Sequence, residues 1–159
     1  AYDISDKIAE SNIYPCIGGN NLRGYVKFFS HEGEFPIIGR QGALCGNICY
    51  ASGKFYATEH AVVVRHKGLF ISRFLYYLLI SMNLNQYATG GAQPGLAVSK
   101  LEKLKIPIPP LSEQERIVGI LDKFDSLVND ISEGLPAEIK ARRKQYEYYR
   151  GKLLTFKQP

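Results

Sequence analysis

The sequence predicts an α+β fold: a small, curved mixed β-sheet with one buried helix, followed by a helical coiled-coil region. Three observations in its 159 residues carry that expectation. Short apolar runs bounded by glycine-rich turns fill residues 1–68. Between Phe70 and Leu84 the apolar spacing switches to steps of four. Past Pro110 an apolar seam at steps of three and four runs almost to the C terminus. With 45% hydrophobic and 12% aromatic residues the chain can build a core, which excludes a disordered polymer. No apolar run approaches the roughly 18 residues of a membrane span. No charged-then-apolar leader is visible either, so a cytoplasmic protein with no membrane partner is expected.

In the first part, Tyr14–Ile17 reads as a strand ended by the turn Gly18-Gly19-Asn20-Asn21. Strands are expected at Tyr25–Phe29 and Phe35–Ile38, with a tight loop at Gly39-Arg40-Gln41-Gly42. Ile48–Tyr50 and Lys54–Ala57 read as two strands separated by a turn at Ser52-Gly53. Ala61–Val64, rich in β-branched residues, is expected at the centre of the sheet. So many short strands and turns imply strong curvature. Phe70, Phe74, Leu78 and Met82, with Leu75 and Leu79 beside them, give a helix with a wide buried face. Gly90-Gly91 and Pro94-Gly95 force a loop, Val98–Leu104 suggests a short helix, and Lys105–Ile108 a strand.

The tail opens on a stop and a start. Pro107, Pro109 and Pro110 hold the chain extended. Ser112 with Glu115 three residues on is a capping box, and Ile117, Ile120, Phe124, Leu127 and Ile131 line one face of the helix that follows. Gly134 and Pro136 are expected to interrupt it. A second seam of Leu135, Ile139, Tyr146, Tyr149, Leu153 and Phe156, with Arg142 as a charged intruder, is then set against Lys140, Arg143, Lys144, Arg150 and Lys152 on the other face. Such a seam needs a helical partner, in the same chain or a second one. The expected division is residues 1–110 and 111–159.

The usual catalytic signatures are missing. There is no phosphate-cradling G-x-x-x-x-G-K-[ST] loop, no G-x-G-x-x-G turn and no H-E-x-x-H helix. Glu59 and His60 are adjacent, and on a strand would point to opposite faces. Cys16, Cys45 and Cys49 lack the paired spacing of zinc or redox motifs, so no metal site and no bound cofactor is expected. The net charge is +5. Up to Leu111 there are 11 Lys and Arg against seven Asp and Glu, and beyond it nine against eight. The excess sits on the globular part, where it attracts a polyanion. Loops there carry Asn20, Asn21 and Arg23; Arg40 and Gln41; Thr58, Glu59 and His60; and Gln93. Arg, Asn and Gln have the geometry to read base edges, while Asn and Gly also populate any ordinary turn. The residues alone leave both readings open.

A family resemblance adds to them. The proline-rich exit, LSEQERI from Leu111, LDKFD from Leu121 and ARRKQYEYYR from Ala141 resemble the helical spacer of type I restriction–modification specificity subunits. Ahead of it stand, in order, Tyr14–Asn20, Ile38–Asn47, Lys54–Ala61 and Gly91–Pro94. These are similar to the Y-P-x-I-G-G-N, I-G-R-x-G-x-x-x-G-N, K-F-Y-x-T-x-x-A and G-x-Q-P patterns of the family's target-recognition domains. Little precedes Tyr14, where the family has a further strand and helix. The family also carries two recognition domains and two spacers, against one of each here. The resemblance implies a non-catalytic, half-length specificity subunit that holds double-stranded DNA for two partners. One is a methyltransferase subunit, which supplies S-adenosylmethionine, and the other a restriction subunit. It further implies that Asn20, Asn21, Arg23, Arg40, Gln41, Thr58, His60 and Gln93 face DNA, with Lys27, Lys54 and Arg65 as phosphate contacts. Two-fold association through antiparallel spacer helices, as a homodimer or with another half-subunit, would then specify a split palindrome. Two other classes stay open: a recognition fragment of a single-chain restriction enzyme, and an interaction module with no nucleic-acid role.

Overall fold

Five strands, β1 (Tyr14–Gly18), β2 (Asn21–Val26), β3 (His31–Gly39), β4 (Ile48–Ala57) and β5 (Ala61–Val63), form one mixed sheet in the order β2-β1-β4-β3-β5. Three helices follow: α1 (Ser72–Ser81), α2 (Val98–Leu101) and α3 (Leu111–Leu154). This computed structural model describes residues 4–8, 12–90 and 94–154, and their side chains apart from those of 127–139, 141, 146 and 149–154. Gln93 and Phe156 lie outside the described residues, as do the side chains of Leu135, Ile139, Tyr146, Tyr149 and Leu153. The chain divides into two compact units, Ala1–Arg116 and Ile117–Pro159.

The curvature follows from the ladder itself. The Ser30 amide donates to the Phe55 carbonyl, and the Arg40 amide to the His60 carbonyl, each at 3.0 Å. A straight strand from Ser30 to Arg40 would span about 33 Å, yet Phe55 to His60 can reach at most about 18 Å. The sheet must curl to satisfy both bonds. Gly33 (φ 124°) faces Gly53 (φ 78°) across the β3–β4 ladder, a point where neither strand carries a Cβ and both backbones take a conformation that side chains disfavour. Ser52-Gly53 therefore lies within one strand and is not the expected turn between two. The curl brings Gly39 so close to Gly19 that a Cβ on Gly39 would run into the Gly19 carbonyl oxygen.

Ile17, Ile37, Ala51 and Phe55 form the core cluster of the sheet. Phe55 and Ile37 are fully buried, a contribution of about 1.5–3 kcal/mol each. Helix α1 packs on β3 and β4, and its buried residues are Phe74, Leu75 and Leu79. The expected helix stops early because Asn83 adopts a left-handed backbone (φ 48°), after which Leu84–Tyr87 forms a 3-10 turn.

Several expectations are corrected. Strand β2 starts at Asn21, not Tyr25, because Gly19 and Asn20 alone make a two-residue hairpin turn. Strand β5 is an edge, not the centre. Its half-buried valines line a cavity of about 500 Å³, across which lie Leu75, Leu79 and Leu101 of the helices rather than a further strand. Residues 105–108 join no ladder, and Pro107 has no amide to offer one. The Pro110 carbonyl accepts the Gln114 amide at 3.1 Å, so α3 begins before Ser112, which lies inside the first turn rather than capping it. Helical backbone continues through Gly134 and Pro136, since an interior proline removes one backbone bond without ending the ladder on either side.

Gln114 anchors that first turn. It is fully buried. Its Oε1 accepts the Ile71 amide at 2.8 Å, and its Nε2 donates to the carbonyls of Leu69 at 3.1 Å and Pro109 at 2.9 Å. One amide thereby satisfies three backbone groups of the Ala1–Arg116 unit that have no strand partner.

Candidate nucleic-acid interface

A groove of about 460 Å³ opens where three loops meet, lined by Gly19, Asn20, Arg23, Gln41, Gly42 and His60. The β1–β2 turn supplies Asn20, a bulge in β2 supplies Arg23, the β3–β4 loop Gln41, and the β4–β5 turn His60. The loops are tied at the backbone. Besides the Arg40–His60 bond, the Gly39 amide donates to the Asn47 carbonyl at 2.9 Å and the Gly46 amide to the Gly39 carbonyl at 2.7 Å. A Cβ on Gly19 would stand 3.0 Å from the His60 carbonyl oxygen, so glycine there sets how closely two of the loops approach.

Each lining side chain is aimed by a local device. Cys16 pairs with Gly24 and Ile17 with Leu22, which leaves Arg23 as the extra residue of a bulge. Its aliphatic stem lies over Gly18, in the space a Cβ would fill. Gln41 is exposed, and its segment is pinned from a distant loop: the Gly42 amide donates to the Pro94 carbonyl at 3.0 Å and the Leu96 amide to the Arg40 carbonyl at 2.8 Å. His60 Nε2 lies 3.3 Å from a Glu59 carboxylate oxygen. The two meet because they sit in a turn, not on a strand with opposed faces. The Asn20 Oδ1 accepts from Asn47 Nδ2 at 3.2 Å.

The remaining predicted residues fall elsewhere. Asn21 opens β2 at φ 80°, exposed but not in the groove lining. Arg40 is half-buried beside the groove, and Thr58 is only 3% exposed, so its side chain presents no surface to a ligand. Arg40 Nε, Thr58 Oγ1 and His60 Nδ1 are buried without a hydrogen-bond partner, three orphan polar atoms around one turn. Lys27, Lys54 and Arg65 are exposed and do not line the groove. Lys54 lies 4.0 Å from Glu32 and over the Phe29 ring at 4.9 Å. Burial, with the Arg65 charge second, holds the His31 imidazole below its ordinary range. Sequence reasoning missed Asn47 as a site residue, although it closes the Ile38–Asn47 run. Among the described residues no group of three His, Cys, Asp or Glu is placed to hold a metal ion, and no helix is long and apolar enough to cross a membrane.

The family model for the type I restriction modification DNA specificity domain matches residues 1–141. The chain is 55% identical over 133 residues to the type I restriction enzyme EcoprrI specificity subunit of Escherichia coli, covering 84% of this chain and 33% of that protein. It is 44% identical over 101 residues to the EcoR124I/EcoR124II specificity subunit, also of Escherichia coli, covering 61% of this chain and 25% of the relative. The chain thus spans a third or less of these relatives' length. Among solved structures, the S subunit of a type I restriction–modification system from M. genitalium aligns with a TM-score of 0.63 at 21% identity, over 96% of this chain and 42% of the other. That likeness extends the fold, a curved sheet with a buried helix and then a long helix, across both units. The chain belongs to the type I restriction–modification DNA specificity family.

Proposed function

We propose that this chain reads one half of a bipartite double-stranded DNA target for a type I restriction–modification complex, with its groove as the reading surface. The observation that carries the reading is the convergence on one groove of Asn20, Gln41 and His60, from three loops, and of Arg23, from a strand bulge. Arginine offers paired donors to guanine, and asparagine and glutamine offer a donor with an acceptor. Glycine at positions 19 and 42 lets a phosphate backbone come close. Lys27, Lys54 and Arg65 are exposed cations at which phosphates can be held, Lys54 by exchanging Glu32 for phosphate.

In this reading residues 1–110 recognise DNA and residues 111–159 act as the spacer. The chain itself performs no catalysis. It docks a methyltransferase subunit, which binds S-adenosylmethionine, and a restriction subunit, in the cytoplasm. The seam of Leu135, Ile139, Tyr146, Tyr149, Leu153 and Phe156 pairs with a second spacer helix, from another copy or another half-subunit. Ile120 at 43% and Phe124 at 61% exposure, large apolar side chains on α3, support a helical partner.

Selection from random duplex DNA, with the chain assembled with its methyltransferase, tests the proposal. A split target with fixed spacing is expected, palindromic for two identical copies. Binding that falls steeply with salt but enriches no sequence would reduce the groove to a phosphate contact. Binding to no DNA at all would leave an interaction module.

A further inference from the structure

Asn47 does not line the groove, yet its Nδ2 donates to Asn20 Oδ1 at 3.2 Å. Its backbone is held at both ends: the carbonyl accepts the Gly39 amide at 2.9 Å, and the amide donates to the Leu44 carbonyl at 3.0 Å. The Asn47 amide therefore moves only about its own side-chain torsions. Asn20 sits in a two-residue hairpin turn and is exposed to the groove. A side-chain amide has two edges of opposite chemistry, an oxygen that accepts and a nitrogen that donates. Drawing Oδ1 toward Asn47 leaves the NH2 edge to face the groove.

We propose that Asn47 is a positioning residue that decides which edge Asn20 offers to DNA, so that Asn20 reads a base with an acceptor in the major groove. Guanine O6 or N7, thymine O4 and adenine N7 fit that edge, whereas cytosine presents only an amino donor there. A bidentate contact to adenine stays open only through the second lone pair of Asn20 Oδ1. This rests on the groove being the DNA surface. It adds that the base read at one position is encoded by a residue that touches no base.

The two edges can be exchanged by one substitution. Asn47→Asp replaces the donor with a carboxylate that can only accept, so the Asn20 amide turns its NH2 toward residue 47 and its Oδ1 into the groove. That edge fits the amino groups of cytosine and adenine. Asn47→Ala removes the constraint and lets both edges be used. The experiment is selection from random duplex DNA with the wild-type chain and with Asn47→Asp, Asn47→Ala and Asn20→Ala, each assembled with the methyltransferase. Expected are cytosine excluded by the wild type and gained in Asn47→Asp, by about tenfold or more, and relaxation in Asn47→Ala. Both changes should fall at the position lost in Asn20→Ala, with other positions kept.

Uniform weakening by the new carboxylate, with the wild-type base retained, would overturn the proposal, as would an Asn20→Ala profile identical to wild type. If Asn47→Asp does not fold, as judged by circular dichroism, Asn47→Ala decides alone: relaxation supports the proposal and an unchanged profile refutes it. A wild-type chain that selects no sequence removes the DNA reading and this inference together. A selective wild type with unresponsive variants removes only the inference.

Discussion

Arg23 owes its direction to two neighbours, the bulge that frees it from the ladder and the bare Gly18 beneath its stem. Glycine at position 18 is not there for backbone freedom, since its φ lies outside the left-handed region. Gly18→Ala should therefore cost the fold little, within about 1 kcal/mol, while pushing the guanidinium out of the groove. DNA selection on this variant should relax the target position that Arg23→Ala also relaxes, by about 1–3 kcal/mol of discrimination, with the thermal midpoint nearly unchanged. Gly39→Ala is the contrasting case. There a Cβ meets a backbone carbonyl that cannot swing aside, and a loss of about 3 kcal/mol or more is expected in a urea titration. Residue types made Asn20, Arg23, Gln41 and His60 legible in the sequence as groups able to read bases. Thr58 was misplaced because polarity says nothing of burial. Asn47 went unnoticed because its role is a bond to another side chain, and no single-residue signal announces that.

Gln114 joins elements that the sequence shows only as separate. The L-S-E-Q run announces the start of α3, but the capping pair expected from it does not do the capping. The glutamine reaches back to residues 69–71 at the entry to α1 instead. Its three partners are distant in sequence or precede the helix, which is why spacing alone did not reveal it. Gln114→Ala should strand the Ile71 amide and two carbonyls. A loss of about 2–3 kcal/mol in the urea midpoint is expected, against about 0.5 kcal/mol or less for the exposed Glu115→Ala. Equal effects would mean that water replaces the glutamine without cost. Strand order was the least legible feature. Ala61–Val63 looked central because β-branched apolar residues signal burial, and they signal it whether flanking strands or packed helices provide the cover.

Among the described residues, burial shifts the titration of His31, Cys16 and Cys49, and with it the stability between acid and alkaline pH. Burial, with Arg65 second, lowers the His31 pKa from its ordinary 6.5. Burial also raises the thiols of Cys16 and Cys49 above their ordinary 9.0; Arg23 opposes the shift at Cys16 and the Asn21 backbone opposes it at Cys49. As pH falls through 6.5, the unfolded chain binds a proton that folded His31 resists, so stability declines. As pH rises through 9.0, the unfolded chain loses thiol protons that the folded chain keeps, and stability declines again. Urea midpoints should therefore show a plateau between those two values; a level line from about pH 5 to about pH 10 would refute it. For the proposed spacer pairing, Leu153→Glu should abolish self-association in sedimentation while leaving helicity intact, and a persistent dimer would exclude the seam.

The bonds from Gly42 to Pro94 and from Leu96 to Arg40 have a consequence for how the protein is made. Residues 94–96 follow Gln41 in the chain, so the loop that carries it acquires these two partners only when they have been added. A chain that ends before residue 94 lacks the clamp on the Gln41 loop. In the proposed reading of the groove, sequence recognition then requires a chain that extends at least to residue 96.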